Sequence, residues 1–417
     1  MRVCCRAVRA AALAAALLAF TGAAARNQPA HLATGRIATT SWPYLPGSLI
    51  PLRVNGFNPP YYSVLLGPGS LSSDGSYEIP SGASGTAFLV AGNTTGLAAT
   101  KLRIAPPPPL DRPLLVVASY DDGLIFHDGL DFAVRGVLAT GGTPADAAVD
   151  RSGKIAAADT QGSSLTLATL ASWSVTRVDG VVLGDEIAID STTQAVFVTD
   201  RDSNGSGALT RVDAAGSVAR VATGATAEGL AIDERRGLVY VANANDGTIA
   251  VVDGRSMRVL RRFHAVDRIF SLALSPDGNR LYGVSNESTG SPFGAAGSAV
   301  AIALRGPSPR IVARSPDLDF PLGVALDPRT ATLFVTDESR NVVDVLDAGT
   351  LRPRRAPLRT CATPWKPTLD PESERLYVPC AGSNAIDAFD LRTLRRVPRA
   401  PFATGSYPLA VAIWHPR

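Results

Sequence analysis

Short apolar runs broken by turn residues recur along most of the chain. AVFVTD begins at Ala195, LVYVAN at Leu238, RLYGVS at Arg280, TLFVTD at Thr332 and RLYVPC at Arg375. Their starts lie 43, 42, 52 and 43 residues apart. A turn cluster precedes each run: DSTT, DERRG, SPDGN, DPRTA and DPESE. Before each cluster stands another apolar run (EIAID, GLAID, SLALS, GVALD, KPTLD), and after each two more follow, as in TIAVVD and MRVLRRF. Alternation with period two predicts strands, and no helical 3.6-residue period appears beyond the first 25 residues. The pattern predicts an all-β protein with four strands in each period.

A four-stranded unit of just over forty residues is the period of a propeller blade. Repeats begin near Gly141, Val181, Ala225, Asp267, Leu318 and Ala362. A lone first strand, LAVAIWHP, follows the sixth, and three strands lacking a first (LLVVASY, GLIFHDG, FAVRGVL) precede the array. Joined, these termini predict a seventh blade and a closed ring without free sheet edges. The first strands support this count. Ala148, Ala188, Ala231, Ala273, Ala325, Thr368 and Ala412 occupy one register. Val149, Ile189, Ile232, Leu274, Leu326, Leu369 and Ile413 occupy the next. Where blades converge, a large side chain from one fits the gap left by alanine on its neighbour.

The segments GLVYVANANDGTIAVVD, LFVTDESRNVVDVLD and LYVPCAGSNAIDAFD resemble the YVTN-type repeats of exported prokaryotic β-propellers, over residues 113–417. The resemblance implies a propeller and, less specifically, a binding or surface protein; some relatives bind DNA. Fold does not fix function here, because propellers host unrelated tasks.

Residues 1–25 read as a signal peptide. Arg2, Arg6 and Arg9 precede the apolar run Ala11–Phe20 and the small residues Ala23–Ala25. No second long apolar run follows, so no membrane span is expected. Residues 26–104 carry short strands such as YYSVLLG and GTAFLVAG and fit a small immunoglobulin-like β-sandwich. Residues 105–112, within APPPPLDRP, predict a stiff spacer before the propeller at 113–417.

Export changes the charge balance. The chain has 40 basic and 37 acidic residues, and three arginines leave with the signal. A formally neutral mature chain disfavours nucleic acid as a partner. Cys4 and Cys5 leave as well, so Cys361 and Cys380 are expected to pair in an oxidising compartment, the periplasm or the cell surface.

No zinc spacing, nucleophile elbow or phosphate loop is present, so no metal or cofactor is expected. Asp121–Asp122, Asp200 with Asp202, and Asp337–Glu338 follow second strands and either gather around an ion or initiate turns. Arginines crowd the fourth strands (Arg258, Arg261, Arg262; Arg352, Arg354, Arg355, Arg359; Arg395, Arg396, Arg399), as an anionic-polymer surface or as edge protection. An insertion, Asn286–Ser298, lengthens one repeat.

Ligand chemistry is expected where first strands open onto the funnel. Trp365 and Lys366 are the candidate anchors, with Asp146, Glu186 and Glu228 across the opening, for an aromatic, sugar or anionic ligand. The reading is a non-enzymatic exported binding or scaffold protein, monomeric, for a protein, glycan or small-molecule partner. The alternatives are a metal-dependent, lactonase-like hydrolase or lyase, and a binder of single-stranded nucleic acid or another anionic polymer.

Overall fold

The computed structural model describes residues 33–55, 62–72, 76–92, 96–160, 163–202, 204–286, 297–306 and 308–417. The expected signal peptide and most of the Asn286–Ser298 insertion lie outside the described residues. Among those residues the protein is all-β. The sole helical segment is one 3₁₀ turn, Ala381–Ser383.

Seven sheets of four strands are present among the described residues. Six run in chain order, from first to fourth strand: Pro144–Val149 to Ser174–Asp179, Ile187–Ile189 to Val218–Ala225, Ala227–Asp233 to Arg258–His264, Ile269–Leu274 to Arg310–Arg314, Pro321–Asp327 to Leu358–Arg359, and Thr368–Asp370 to Phe402–Ala403. The seventh begins with the last strand of the chain. Pro408–Trp414 pairs antiparallel with Leu114–Ser119, with Ala412 opposite Val116, and Gly123–Asp128 and Val134–Leu138 follow. Each first strand packs against the first strand of the next sheet, and Pro408–Trp414 packs against both Thr368–Asp370 and Pro144–Val149.

The alternation of large residue and alanine does what its register implies. Ala148 shares a core with Ile189 of the following sheet, Ala188 with Ile232, Ala231 with Leu274, and Ala273 with Leu326. Turns are closed by side-chain acids. Asp150 Oδ1 accepts from the N–H groups of Ser152 (2.8 Å) and Lys154 (2.9 Å), and Asp190 and Asp370 act likewise. Between third and fourth strands, Met257, Leu351 and Leu394 take left-handed backbone, each donating its N–H to the aspartate four residues earlier. Burial of Met257 and Leu351 explains why an apolar side chain stands where glycine would relax the turn.

The chain divides into two compact units: Met1–Pro108 with Arg135–Gly141, and Pro109–Val134 with Gly142–Arg417. In the first, a five-stranded sheet and a three-stranded sheet bury Leu45, Ile50, Tyr77, Ile79, Leu89 and Leu102. Both ends of the expected spacer are bonded. Ala105 donates its N–H to the Tyr44 carbonyl, and Arg112 pairs with Asp128 at 3.0 Å.

Deleting Pro408–Trp414 is expected to abolish the monomeric fold, because it unpairs Leu114–Ser119 and opens the ring of first strands. Light scattering and thermal melting test this. A truncated monomer with an unchanged melting temperature contradicts it.

Candidate functional site

The first strands begin irregularly. Their ladders with the second strands skip Ala145, Glu228 with Gly229, Phe270 with Ser271, Leu322, and Leu409. In the other two sheets, Asp185 and Trp365 precede the paired residues of the first strand. Bulges of this kind re-aim side chains away from a sheet. The result is a collar of one residue per sheet, Ala145, Asp185, Glu228, Phe270, Leu322, Trp365 and Leu409, all lining one cavity of about 830 Å³. They stand five residues before Asp150, Asp190, Asp233, Ser275, Asp327, Asp370 and Trp414, respectively.

The next residue in each sheet forms an inner ring: Asp146, Glu186, Gly229, Ser271, Gly323, Lys366 and Ala410. The two glycines follow from close approach rather than from openness at the rim. A Cβ on Gly229 would fall 1.9 Å from the Phe270 carbonyl oxygen, and one on Gly323 2.5 Å from Pro367 Cδ. The three charged members meet. Lys366 Nζ donates to Asp146 Oδ2 at 2.7 Å and lies 3.4 Å from Glu186 Oε1. Asp146 also accepts from the N–H groups of Ala147 (2.8 Å) and Ile187 (3.1 Å), and Glu186 Oε2 accepts from Leu230 N–H at 2.7 Å. Side-chain exposure is 30% for Lys366, 15% for Glu186 and 6% for Asp146. Asp146 and Lys366 are the two residues that line both this cavity and a second one of about 790 Å³, bounded by Asp150, Asp370 and His415. The ion triad thus forms part of the partition between them.

Burial pushes the Glu186 carboxyl up to about 7, against the pull of Lys366, and nearby Asp146 raises it further. Burial also opposes the Lys366 ammonium, but Asp146 and then Glu186 outweigh it and raise its pKa. Lys366 therefore stays charged, and its charge is taken up by the triad. This removes the reason for expecting an anionic ligand beside it. Five carboxylates line the mouth cavity (Asp121, Asp146, Asp185, Glu186, Glu228) against one ammonium.

All five residues singled out from the sequence, Trp365, Lys366, Asp146, Glu186 and Glu228, line this cavity. Trp365 is half-buried; its backbone N–H donates to the Pro379 carbonyl at 2.8 Å, and its indole Nε1 is enclosed without a hydrogen-bond partner. Its segment is fastened by the Cys361–Cys380 disulfide, whose Cα atoms lie 5.7 Å apart. Pro367 precedes the short first strand rather than lying within it. Sequence reasoning missed Tyr120, Asp185, Phe270 and Tyr407 at the mouth. Asp185 and Phe270 were legible by reading one register earlier in every repeat. Tyr120 and Tyr407 come from connecting turns and meet edge to face at 6.1 Å.

Of the acids after second strands, Asp121 lines the mouth cavity, and the Asp200, Asp202 and Asp337 side chains serve elsewhere. Asp200 holds Arg220 (3.0 Å) and the Thr210 hydroxyl, Asp202 holds the same arginine, and Asp337 holds Arg340 (2.8 Å). Among the described residues no group of three or more His, Cys, Asp or Glu side chains could hold a metal ion. Of the arginines expected on fourth strands, Arg258, Arg261, Arg262 and Arg359 lie in them, whereas those at 352, 354, 355, 395, 396 and 399 precede the short fourth strands Leu358–Arg359 and Phe402–Ala403; there Arg396 is bidentate on buried Asp387 and Arg354 bonds Asp347 at 2.6 Å. Of the described histidines, His127, His264 and His415, none lines the mouth. His31 lies outside the described residues. His127 is buried between the Phe132 carbonyl and the Thr404 hydroxyl, and burial lowers its pKa to about 4.

Two outcomes are expected. Replacing Cys361 and Cys380 with serine should cost about 3 kcal/mol in urea denaturation, because the bond closes a loop with a separation of 19 residues. The native proton on Glu186 stabilises the fold fully below pH 4.5, and this contribution is lost as pH rises through about 7. Its full size is on the order of 2–3 kcal/mol. Asp344, raised to about 6 by burial, contributes with the same sign, so the test is a difference. Glu186→Gln should flatten the fall in stability between pH 5 and 8 relative to the parent, and an unchanged slope would refute the assignment.

No protein-family model and no curated protein matches the sequence. Solved structures do match in shape. A functionally unknown protein from Desulfotomaculum acetoxidans is 15% identical with a TM-score of 0.59, over 73% of this chain and 99% of that one. A putative 6-phosphogluconolactonase from Bacteroides uniformis is 12% identical, with the same TM-score and coverage. The periplasmic gluconolactonase of Pseudomonas aeruginosa is 14% identical, again at 0.59 over 73% and 99%. At such identities the likeness carries the fold alone, and that fold is the β-propeller.

Proposed function

We propose that this chain is an exported, seven-bladed β-propeller of the YVTN-repeat type, closed by joining its N- and C-terminal strands and preceded by an immunoglobulin-like β-sandwich. It acts as a monomeric binding or scaffold protein rather than as an enzyme. Its ligand face is the collar around Trp365 and Lys366. The observation that carries this reading is that every one of the seven four-stranded sheets contributes one residue to the wall of a single cavity. A pocket with apolar walls and a few convergent polar groups is the ordinary form of a small-molecule site. The one lysine in it is held as a cation by two carboxylates and makes a poor base or nucleophile. The disulfide supports an oxidising compartment, periplasm or cell surface. Pairing of Arg396 and Arg354 with aspartates supports edge protection over a surface for nucleic acid.

A hydrolase or lyase is the second reading. Glu186, with a pKa near 7, has the character of a general acid–base group, and two of the structural neighbours are named as lactonases. The two readings separate in one experiment. Purified protein is screened by thermal shift against a panel of glycans, aromatic amines and acids, and lactones, with hydrolysis followed for the lactones. Binding without turnover, weakened about tenfold or more by Trp365→Ala at an unchanged melting temperature, is the expected outcome. Turnover abolished by Glu186→Gln overturns the non-catalytic reading.

A further inference from the structure

The collar is not uniform around its axis. Asp185 and Glu228 stand on adjacent sheets, next to Asp146 and Glu186 in the inner ring. The other collar positions, Phe270, Leu322, Trp365, Leu409 and Ala145, are all apolar or aromatic. One arc of the mouth is acidic and the rest is greasy. On the apolar arc, Ser271 is 3% exposed, lines the cavity, and its hydroxyl has no hydrogen-bond partner. A buried hydroxyl left unpaired costs free energy unless a ligand or solvent meets it.

We propose that the mouth cavity takes an amphipathic organic ammonium: a positively charged amine at one end, an aromatic or apolar body at the other, with a polar atom able to reach Ser271. This inference rests on the binding reading above and adds the ligand class. Three features separate an organic ammonium from its competitors. The carboxylates do not gather as metal ligands among the described residues, so their charge is spread over an arc rather than focused on a point. Lys366 already demonstrates how this ring receives an ammonium, between Asp146 and Glu186. Aromatic faces at the mouth also accept cations, since the guanidinium of Arg268 sits 5.6 Å from the centre of the Phe270 ring. Phe270 is engaged in this way, and Trp365, Tyr120 and Tyr407 present the remaining rings. An anion meets five carboxylates and one neutralised lysine, and its approach is repelled.

A matched series of small aryl compounds tests the proposal. Tyramine, tyrosol and 4-hydroxyphenylacetate share one phenol ring and differ in carrying a positive, neutral or negative group. Binding is read by calorimetry and indole fluorescence at pH 8 and low salt, on the intact chain. Tyramine should bind about tenfold tighter than tyrosol, and 4-hydroxyphenylacetate should be the weakest. The double substitution Asp121→Asn with Glu228→Gln should weaken tyramine by about fivefold or more and leave tyrosol within about twofold. Raising salt should narrow the gap between the two. Equal or tighter binding of the anion or the neutral compound overturns the ammonium assignment. If that compound's binding remains sensitive to Trp365→Ala, the binding face itself stands. If no member binds at about 10 mM, an affinity too weak to be specific, the assignment also fails. Binding insensitive to both Trp365→Ala and the double substitution removes the face along with it.

Discussion

The pairing of Pro408–Trp414 with Leu114–Ser119 is the constraint on which the rest of the second unit depends. It joins segments from opposite ends of that unit. Without it one sheet lacks its innermost strand, and the circuit of first strands has a gap between Thr368–Asp370 and Pro144–Val149. The entropy of closing so long a loop grows only slowly with length, so the pairing is thermodynamically tolerable. Kinetically it is costly, because non-local contacts form late. Convergence of the collar requires all of the first strands, so the cavity is a property of the closed circuit and of no single sheet.

Charge inside the circuit is arranged around one long side chain. Lys366 reaches Asp146 and Glu186, so one side chain links first-strand residues of three sheets. Isolated, each of these charges would be expensive to enclose. Together they remain one negative charge in excess, and burial, with Asp146 nearby, makes Glu186 hold its proton more tightly. The triad also stands between the two cavities, so the mouth is a cup with a charged floor.

Much of this was legible in the sequence because repeats convert spacing into geometry. The four-strand period, the aspartate turns and the alternation of alanine with a larger residue each reported a local rule applied many times over. The inner ring was legible for the same reason, and Asp146, Glu186 and Lys366 fell out of one register. Charge neutralisation of Lys366 was not legible, because it depends on the angle at which three sheets meet. The glycines of the inner ring are set by close approach of the next first-strand segment, which no single repeat encodes. Tyr120 and Tyr407 belong to connecting turns, whose positions are fixed by the sheets on either side rather than by any period.

The collar residues lie where the ladders skip or have not begun. Five of them take no part in the ladder, whereas Asp185 and Trp365 donate their backbone N–H groups to Thr199 and Pro379 of the second strands. Exchange at the five skipped positions therefore changes the lining of the mouth while leaving the ladders as they were. The collar reads as a seven-letter word, spelled once around the axis, that drift or selection can respell one letter at a time. Because its acidic letters are adjacent, the word has a beginning, and on the binding reading a guest would have one preferred orientation out of seven.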